Sequence, residues 1–254
     1  MGLSHSRDRA RRSAMRTILT GTHRANWLLG TLEPEDFAVL QPHLEVVSLP
    51  KSAVLYEAED IISRTYFPQN AMVGLINIME DGHLVEVASF GREGMFGLLS
   101  ALVSREAFGR YKVQIPGLAS RIPVSRIREA MSARPKLQRL VAGYTEALLA
   151  QTFQVASCNA VHTVEARCCN WILSTRDRVD EDLLPLTHAD LAELLGVQRS
   201  TVSMVLRSLQ TTGLISQQRG GIRIVDQAGL EGVACECYRK IRQSYAKVLP
   251  VTSA

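Results

Sequence analysis

The chain has 254 residues, 46% of them hydrophobic and 21% charged, with a formal net charge of +4. That length suits two compact domains, each with apolar side chains enough for a core. No run of 18 apolar residues occurs, so no membrane-spanning helix is expected, and the basic N-terminus lacks the apolar stretch of a signal peptide.

Residues 1–24 carry six Arg against a single acid, Asp8, so residues 1–25 are expected to form a basic, solvated, flexible tail. A domain over 26–134 follows. From about 44 to 124 the chain shows short apolar runs broken by Pro50, Asp60 and Pro68. Met72 to Met79 and Leu84 to Ala88 flank Asp81-Gly82, a strong hairpin signal because glycine adopts positive φ cheaply. A further strand is expected at Tyr111 to Ile115. Many short strands at close spacing suggest a sandwich or small barrel.

The periodicity changes at Pro135. Leu137, Tyr144, Gln151 and Cys158 are seven apart, with Val141, Leu148 and Val155 four after the first three. This a/d seam predicts one long helix over 135–160. It packs either on its own domain or, the favoured alternative, against a second copy as a dimer helix using Leu137, Val141, Tyr144, Leu148, Gln151 and Val155.

Within 161–254 a second domain carries the clearest motif. Thr187 is a good N-cap, and Asp190 three residues on completes an approximate capping box. Leu191, Leu194 and Leu195 share one helix face, and Gly196 stands where a left-handed turn residue belongs. A second helix is expected from Gln198 to Gln210. Ala192, Gly196 and Val202 have the spacing of two helices crossing over a tight turn. Gly213 to Val225 then reads as strand, Gly-Gly turn and strand, a wing carrying Arg219. Residues 196–225 hold four Arg and no acid. The unit is thus a winged helix-turn-helix, and double-stranded DNA is its expected partner. Arg199 is the first candidate for a base contact, bidentate to guanine. Ser200, Thr201, Ser203 and Met204 share the reading region, with Thr187, Gln198, Arg207 and Arg219 better placed for the backbone.

These residues carry a resemblance to the Crp/Fnr superfamily of bacterial transcription regulators. The most specific part runs Leu186-Thr187, Leu191-Ala192, Leu195-Gly196-Val197, Arg199 to Ser203, Leu206, Leu209, Gly213 to Ile215 and Arg219-Gly220. The resemblance implies an α+β chain: a cyclic-nucleotide-binding-like, double-stranded β-roll sensor (jelly-roll-like), a long dimerisation helix and a C-terminal winged helix-turn-helix. It also implies a homodimer on a near-palindromic operator, with RNA polymerase as a partner; the five cysteines, which do not read as a secreted disulfide framework, point to the cytoplasm.

The chain departs from that family in two places. Ser200 and Met204 replace usual base-reading residues, so the operator should differ from the family consensus. In the effector stretch, Phe96-Gly97-Leu98-Leu99 puts Leu98 where a ribose-binding Glu belongs. Phe108 stands near the phosphate-binding Arg position, with Arg110 two residues away. An apolar residue cannot hold a ribose or a phosphate charge, so the signal is expected not to be a cyclic nucleotide. A cyclic-nucleotide-responsive regulator or sensor module remains the alternative. No cysteine precedes Cys158, which removes ligands for the N-terminal iron–sulfur cluster of the oxygen-sensing branch, and His83 is expected to be exposed rather than a haem ligand. Cys158, Cys168, Cys169, Cys235 and Cys237 lack paired CxxC spacing and are expected to be structural, with a redox role as a minor alternative; no metal and no cofactor are expected. Catalysis is not expected, since phosphate loop, His-Glu-x-x-His and nucleophile-elbow motifs are missing.

Overall fold

The computed structural model describes residues 23–179 and 183–249. Two short helices open it, α1 (Trp27–Thr31) and α2 (Pro34–Leu40). The Asn26 side chain caps α1 and donates to the carbonyls of Pro68 and Gly94, tying the entry helix to the sheet. The basic tail expected over 1–25 lies outside the described residues except at its end. There His23 is buried and bonded to Ser120 at 2.7 Å, and the Arg24 guanidinium lies 4.4 Å from the Phe37 ring centre.

Seven strands follow: β1 (Glu45–Leu49), β2 (Val54–Tyr56), β3 (Arg64–Pro68), β4 (Met72–Ile78), β5 (Leu84–Phe90), β6 (Arg110–Ile115) and β7 (Gly117–Pro123). They form two antiparallel sheets in the orders β1-β7-β3 and β2-β6-β4-β5. Gly82, at φ +84°, turns the β4–β5 hairpin. Rings fill the space enclosed by the strands. Phe96 stacks on Tyr66 and Tyr111 with centroids 5.0 and 5.3 Å away, and Phe90 and Tyr56 close the cluster. Aromatic pairs of this kind add about 0.5–1.5 kcal/mol each beyond their buried area.

Helix α3 (Val124–Ala133) leads into α4 (Pro135–Val161), 27 residues long. Here the expected dimer seam needs correction. Leu137, Val141, Tyr144 and Gln151 are buried within the single chain, and Leu148 and Val155 pack against the same core. Tyr144 donates to the Met95 carbonyl at 2.6 Å, and Gln151 to that of Ser89 at 3.2 Å. The seam is covered by this chain's own elements, among them Leu29, Leu40, Ile127 and the Tyr245 ring, which lies 6.3 Å from that of Tyr144. The opposite face of α4 is the uncovered one, and on it Leu149 is 51% and Phe153 68% exposed.

The remaining elements are α5 (Val164–Val179), β8 (Leu183–Leu184), α6 (His188–Leu195), α7 (Arg199–Thr211), β9 (Ile215–Gln218), β10 (Gly221–Ile224), α8 (Gln227–Val233) and α9 (Cys237–Ala246). A second core gathers Cys168, Cys169, Ile172, Leu173, Leu191, Val202, Leu206 and Ile222. Helix α9 turns back onto α4, where Ile241 and Tyr245 join the first core.

Arg178 of α5 bridges the two units. Its three nitrogens reach Glu93 at 2.7 Å, Ser89 at 3.1 Å and Gln151 at 2.9 Å, all buried. Gly91 makes room: a Cβ there would stand 2.7 Å from that of Arg178. Among the described residues no helix is long and apolar enough to cross a membrane.

Candidate nucleic-acid interface

Local chemistry sets the geometry of α6 and α7. The Thr187 hydroxyl accepts from the Asp190 N–H at 3.1 Å, and Asp190 accepts from the Thr187 N–H at 2.8 Å, a complete capping box. Gly196 ends α6 in the left-handed region, φ 63°, with nothing within 4 Å of where a Cβ would stand, so glycine serves the backbone there rather than the packing. Arg167 donates to the Leu195 carbonyl at 2.7 Å and satisfies an end of α6 that the backbone leaves open. Leu191, Ala192 and Leu195 meet Val202, Leu206 and Leu209 across the turn, all buried.

The other side of α7 faces outward. Gln198, Arg199, Ser200, Met204 and Arg207 are exposed, while Thr201 and Ser203 are half-buried. No side chain caps α7, so its first N–H groups remain available to an anion. Strands β8, β10 and β9 form the wing in that order, and Gly220, at φ +102°, turns it beside exposed Arg219.

His188 carries a role the sequence did not announce. Its ring nitrogens lie 2.8 Å from the Ser203 hydroxyl and 2.6 Å from the Gln217 side-chain oxygen, locking α7 to the wing. Ser203 also donates to the Arg199 carbonyl, so its hydroxyl is already engaged twice. The contacts span 15 and 29 residues, beyond any local periodicity. Thr187 is exposed at the cap but spends its hydroxyl on Asp190.

Helix α6 docks on the β-roll through two ion pairs, Lys51 to Asp190 at 2.8 Å and Lys112 to Glu193 at 2.6 Å. The pull of Lys51 and Thr187 outweighs burial and holds the Asp190 carboxyl below its ordinary value.

The residues expected around an effector do not share one site. Phe96 and Leu98 are interior, and Gly97 sits at φ +91° with a Cβ position 2.5 Å from the Arg64 carbonyl. Leu99 is half-buried. Phe108 is 63% exposed, and Arg110 is paired with Glu57 at 2.8 Å. The rings of Phe96, Tyr66 and Tyr111 fill the interior of the β-roll. His83 is exposed and pairs with Asp81.

The cysteines separate into two groups. Cys168 and Cys169 are packing residues of the second core. Cys158, Cys235 and Cys237 meet around His162, a grouping that their spacing along the chain did not suggest.

Comparison with known proteins agrees with this arrangement. The family model for the Crp-like helix-turn-helix domain matches residues 166–233. The global nitrogen regulator of Synechococcus elongatus is 22% identical over 197 residues, 74% of this chain and 88% of that protein. The nitrogen fixation regulation protein FixK of Bradyrhizobium diazoefficiens is 24% identical over 207 residues, 74% of this chain and 81% of that protein. The solved structure of FixK2 from Bradyrhizobium japonicum superposes with TM-score 0.64 at 17% identity, covering 76% of this chain and 98% of that one. The c-di-GMP responsive regulator CLP of Xanthomonas campestris gives TM-score 0.61 at 17% identity, over 76% of this chain and 99% of that one. At such identities the structural likeness speaks for the fold.

Proposed function

From the premise that residues 166–233 are a Crp-like helix-turn-helix domain in a Crp/Fnr-type transcription regulator, we propose that this chain binds a near-palindromic operator as a homodimer, under a signal other than a cyclic nucleotide. The observation that carries the reading is the outward face of α7, with Arg199, Arg207 and uncapped N–H groups on an acid-free stretch. In the major groove the N-terminal end of such a helix reaches base edges, and Arg199 is the residue placed to do so. Ser200, Thr201, Ser203 and Met204 flank it. Gln198, Arg207, Thr187 and the wing residue Arg219 stand nearer the backbone.

The dimer is supported by the uncovered face of α4, where Leu149 and Phe153 lie exposed on one side. Two-fold pairing there would set two copies of α7 toward half-sites about one helical turn apart. The aromatic filling of the β-roll supports a signal other than a cyclic nucleotide. RNA polymerase is the protein partner this reading names, and the cytoplasm its compartment. Sequencing DNA retained by the purified full-length chain from a random pool tests the whole proposal. A recovered near-palindrome supports it; retention without sequence enrichment overturns the operator, and a half-site without its repeat overturns the dimer. Calorimetry with cAMP and cGMP should show no binding at micromolar concentration.

A further inference from the structure

We propose that Cys158, His162, Cys235 and Cys237 form a tetrahedral site for one divalent ion of the zinc class, joining the end of α4 to the segment between α8 and α9. Each of the four residues offers one ligand atom, and all these atoms lie within 4.8 Å of one another. Cys158 Sγ stands 3.5 Å from Cys235 Sγ, and Cys237 Sγ 3.5 Å from His162 Nδ1. A tetrahedral ion with bonds of about 2.3 Å to sulfur and about 2.0 Å to nitrogen has S···S edges of roughly 3.8 Å and S···N edges of roughly 3.5 Å. The observed separations come close to those edges before any ion draws the ligands together. They suit a single ion, whereas cysteines around an iron–sulfur cluster stand farther apart.

The surrounding groups complete the site. His162 Nε2 lies 3.3 Å from the Glu236 carboxylate, the outer partner that fixes a ligating imidazole with its other nitrogen inward. The Gln154 amide donates to Cys237 Sγ at 3.1 Å. Cys158 and Cys237 are buried and His162 and Cys235 half-buried. Three sulfurs and an imidazole select zinc over hard cations such as magnesium or calcium.

Helical phase explains why the spacing misled. Two cysteines two apart inside a helix point about 200° away from each other. Cys235, however, lies in the link before α9, and Cys237 in its first turn, so the helix phase does not separate them. Cys158 and His162, four apart, occupy the last turn and the cap of α4 and share a face. The site therefore clamps α9 to α4 at the junction that leads into α5 and the DNA-binding unit.

The test uses the full-length chain, isolated with reductant and without chelator. Elemental analysis should find about one zinc per chain, and cobalt substituted for it should give the intense visible bands and the sulfur-to-metal charge transfer of a tetrahedral thiolate-rich site. Cys158→Ser and His162→Ala should each weaken metal retention by roughly 10-fold or more, while Cys168→Ser keeps it. His162 is half-buried at a helix end, so His162→Ala is the variant that keeps the fold, checked by circular dichroism. A reduced wild-type chain that holds no zinc and gives only the pale spectrum of octahedral cobalt overturns the proposal. So does cobalt whose bands are the same in His162→Ala, or a Cys158–Cys235 disulfide in protein kept under reductant throughout.

Discussion

Arg178 is a full charge held out of water, and its worth lies in the partners it would abandon. Glu93, Ser89 and Gln151 each take one of its nitrogens. Arg178→Ala would leave the Glu93 carboxylate buried and unpaired, a loss of about 3–5 kcal/mol that urea unfolding would read. Arg178→Met combined with Glu93→Gln should recover most of it, because the pair removed together strands no charge. Arg199 makes the opposite case, exposed and, among the described residues, without a side-chain hydrogen bond or ion pair. Arg199→Ala should leave the urea midpoint unchanged and cost about 1–3 kcal/mol in affinity for the selected operator. An equal loss on random DNA would assign Arg199 to the phosphate backbone instead. These two arginines also mark where sequence stops informing. Arg199 was legible because a capping box and Gly196 fixed its place on α7. Arg178 was not, since its partners sit 27, 85 and 89 residues away. His188 and the Cys158–His162–Cys235–Cys237 group were hidden for the same reason.

At the scale of the element, α4 shows what periodicity contains and what it omits. A seven-residue repeat at Leu137, Tyr144 and Gln151 establishes that one face is covered, without saying by what. Other helices and strands of the same chain cover it, and the weaker stripe of Leu149 and Phe153 between small residues stays exposed, the face that the proposed dimer would use. Small residues such as Ala142 and Ala156 lower the apolar signal of that stripe while allowing helices to approach closely. Leu149→Glu with Phe153→Glu should therefore convert a dimer to a monomer at micromolar concentration in analytical ultracentrifugation. Each side chain buried at such a seam contributes about 1.5–3 kcal/mol, so the pair is expected to shift the dissociation constant by at least about 100-fold. The monomer should keep its circular dichroism, because neither residue enters the core. A double variant that still sediments as a dimer would move the interface elsewhere.

Across the whole molecule, the β-roll and the DNA-binding unit meet at Glu86. The residue sits on β5, takes a hydrogen bond from Gln114 of β6, and faces Trp171 and Arg178 of α5 and Glu193 of α6. Burial raises its carboxyl from 4.5 to about 7, against the pull of Gln114, Arg178 and Trp171 and with the push of Glu193. A carboxyl raised on folding favours the protonated native state. Its stabilising contribution is whole below about 4.5, the ordinary value, and is lost as pH climbs through about 7. Glu86→Gln, neutral at every pH, should thus match the wild type near pH 4.5 and exceed it at about pH 8. The gain should be on the order of 2 kcal/mol after allowance for screening at a half-buried edge. Comparing variant with wild type at each pH cancels the other titrating groups, and a difference flat from about pH 5 to pH 8 would show that Glu86 does not titrate on unfolding. The same ionisation places a negative charge between the two units, beside Glu193. Above about pH 7 the ion pairs of Lys51 and Lys112 then hold α6 to the β-roll against that repulsion, and proteolysis at the α4–α5 junction should quicken in the wild type but not in Glu86→Gln.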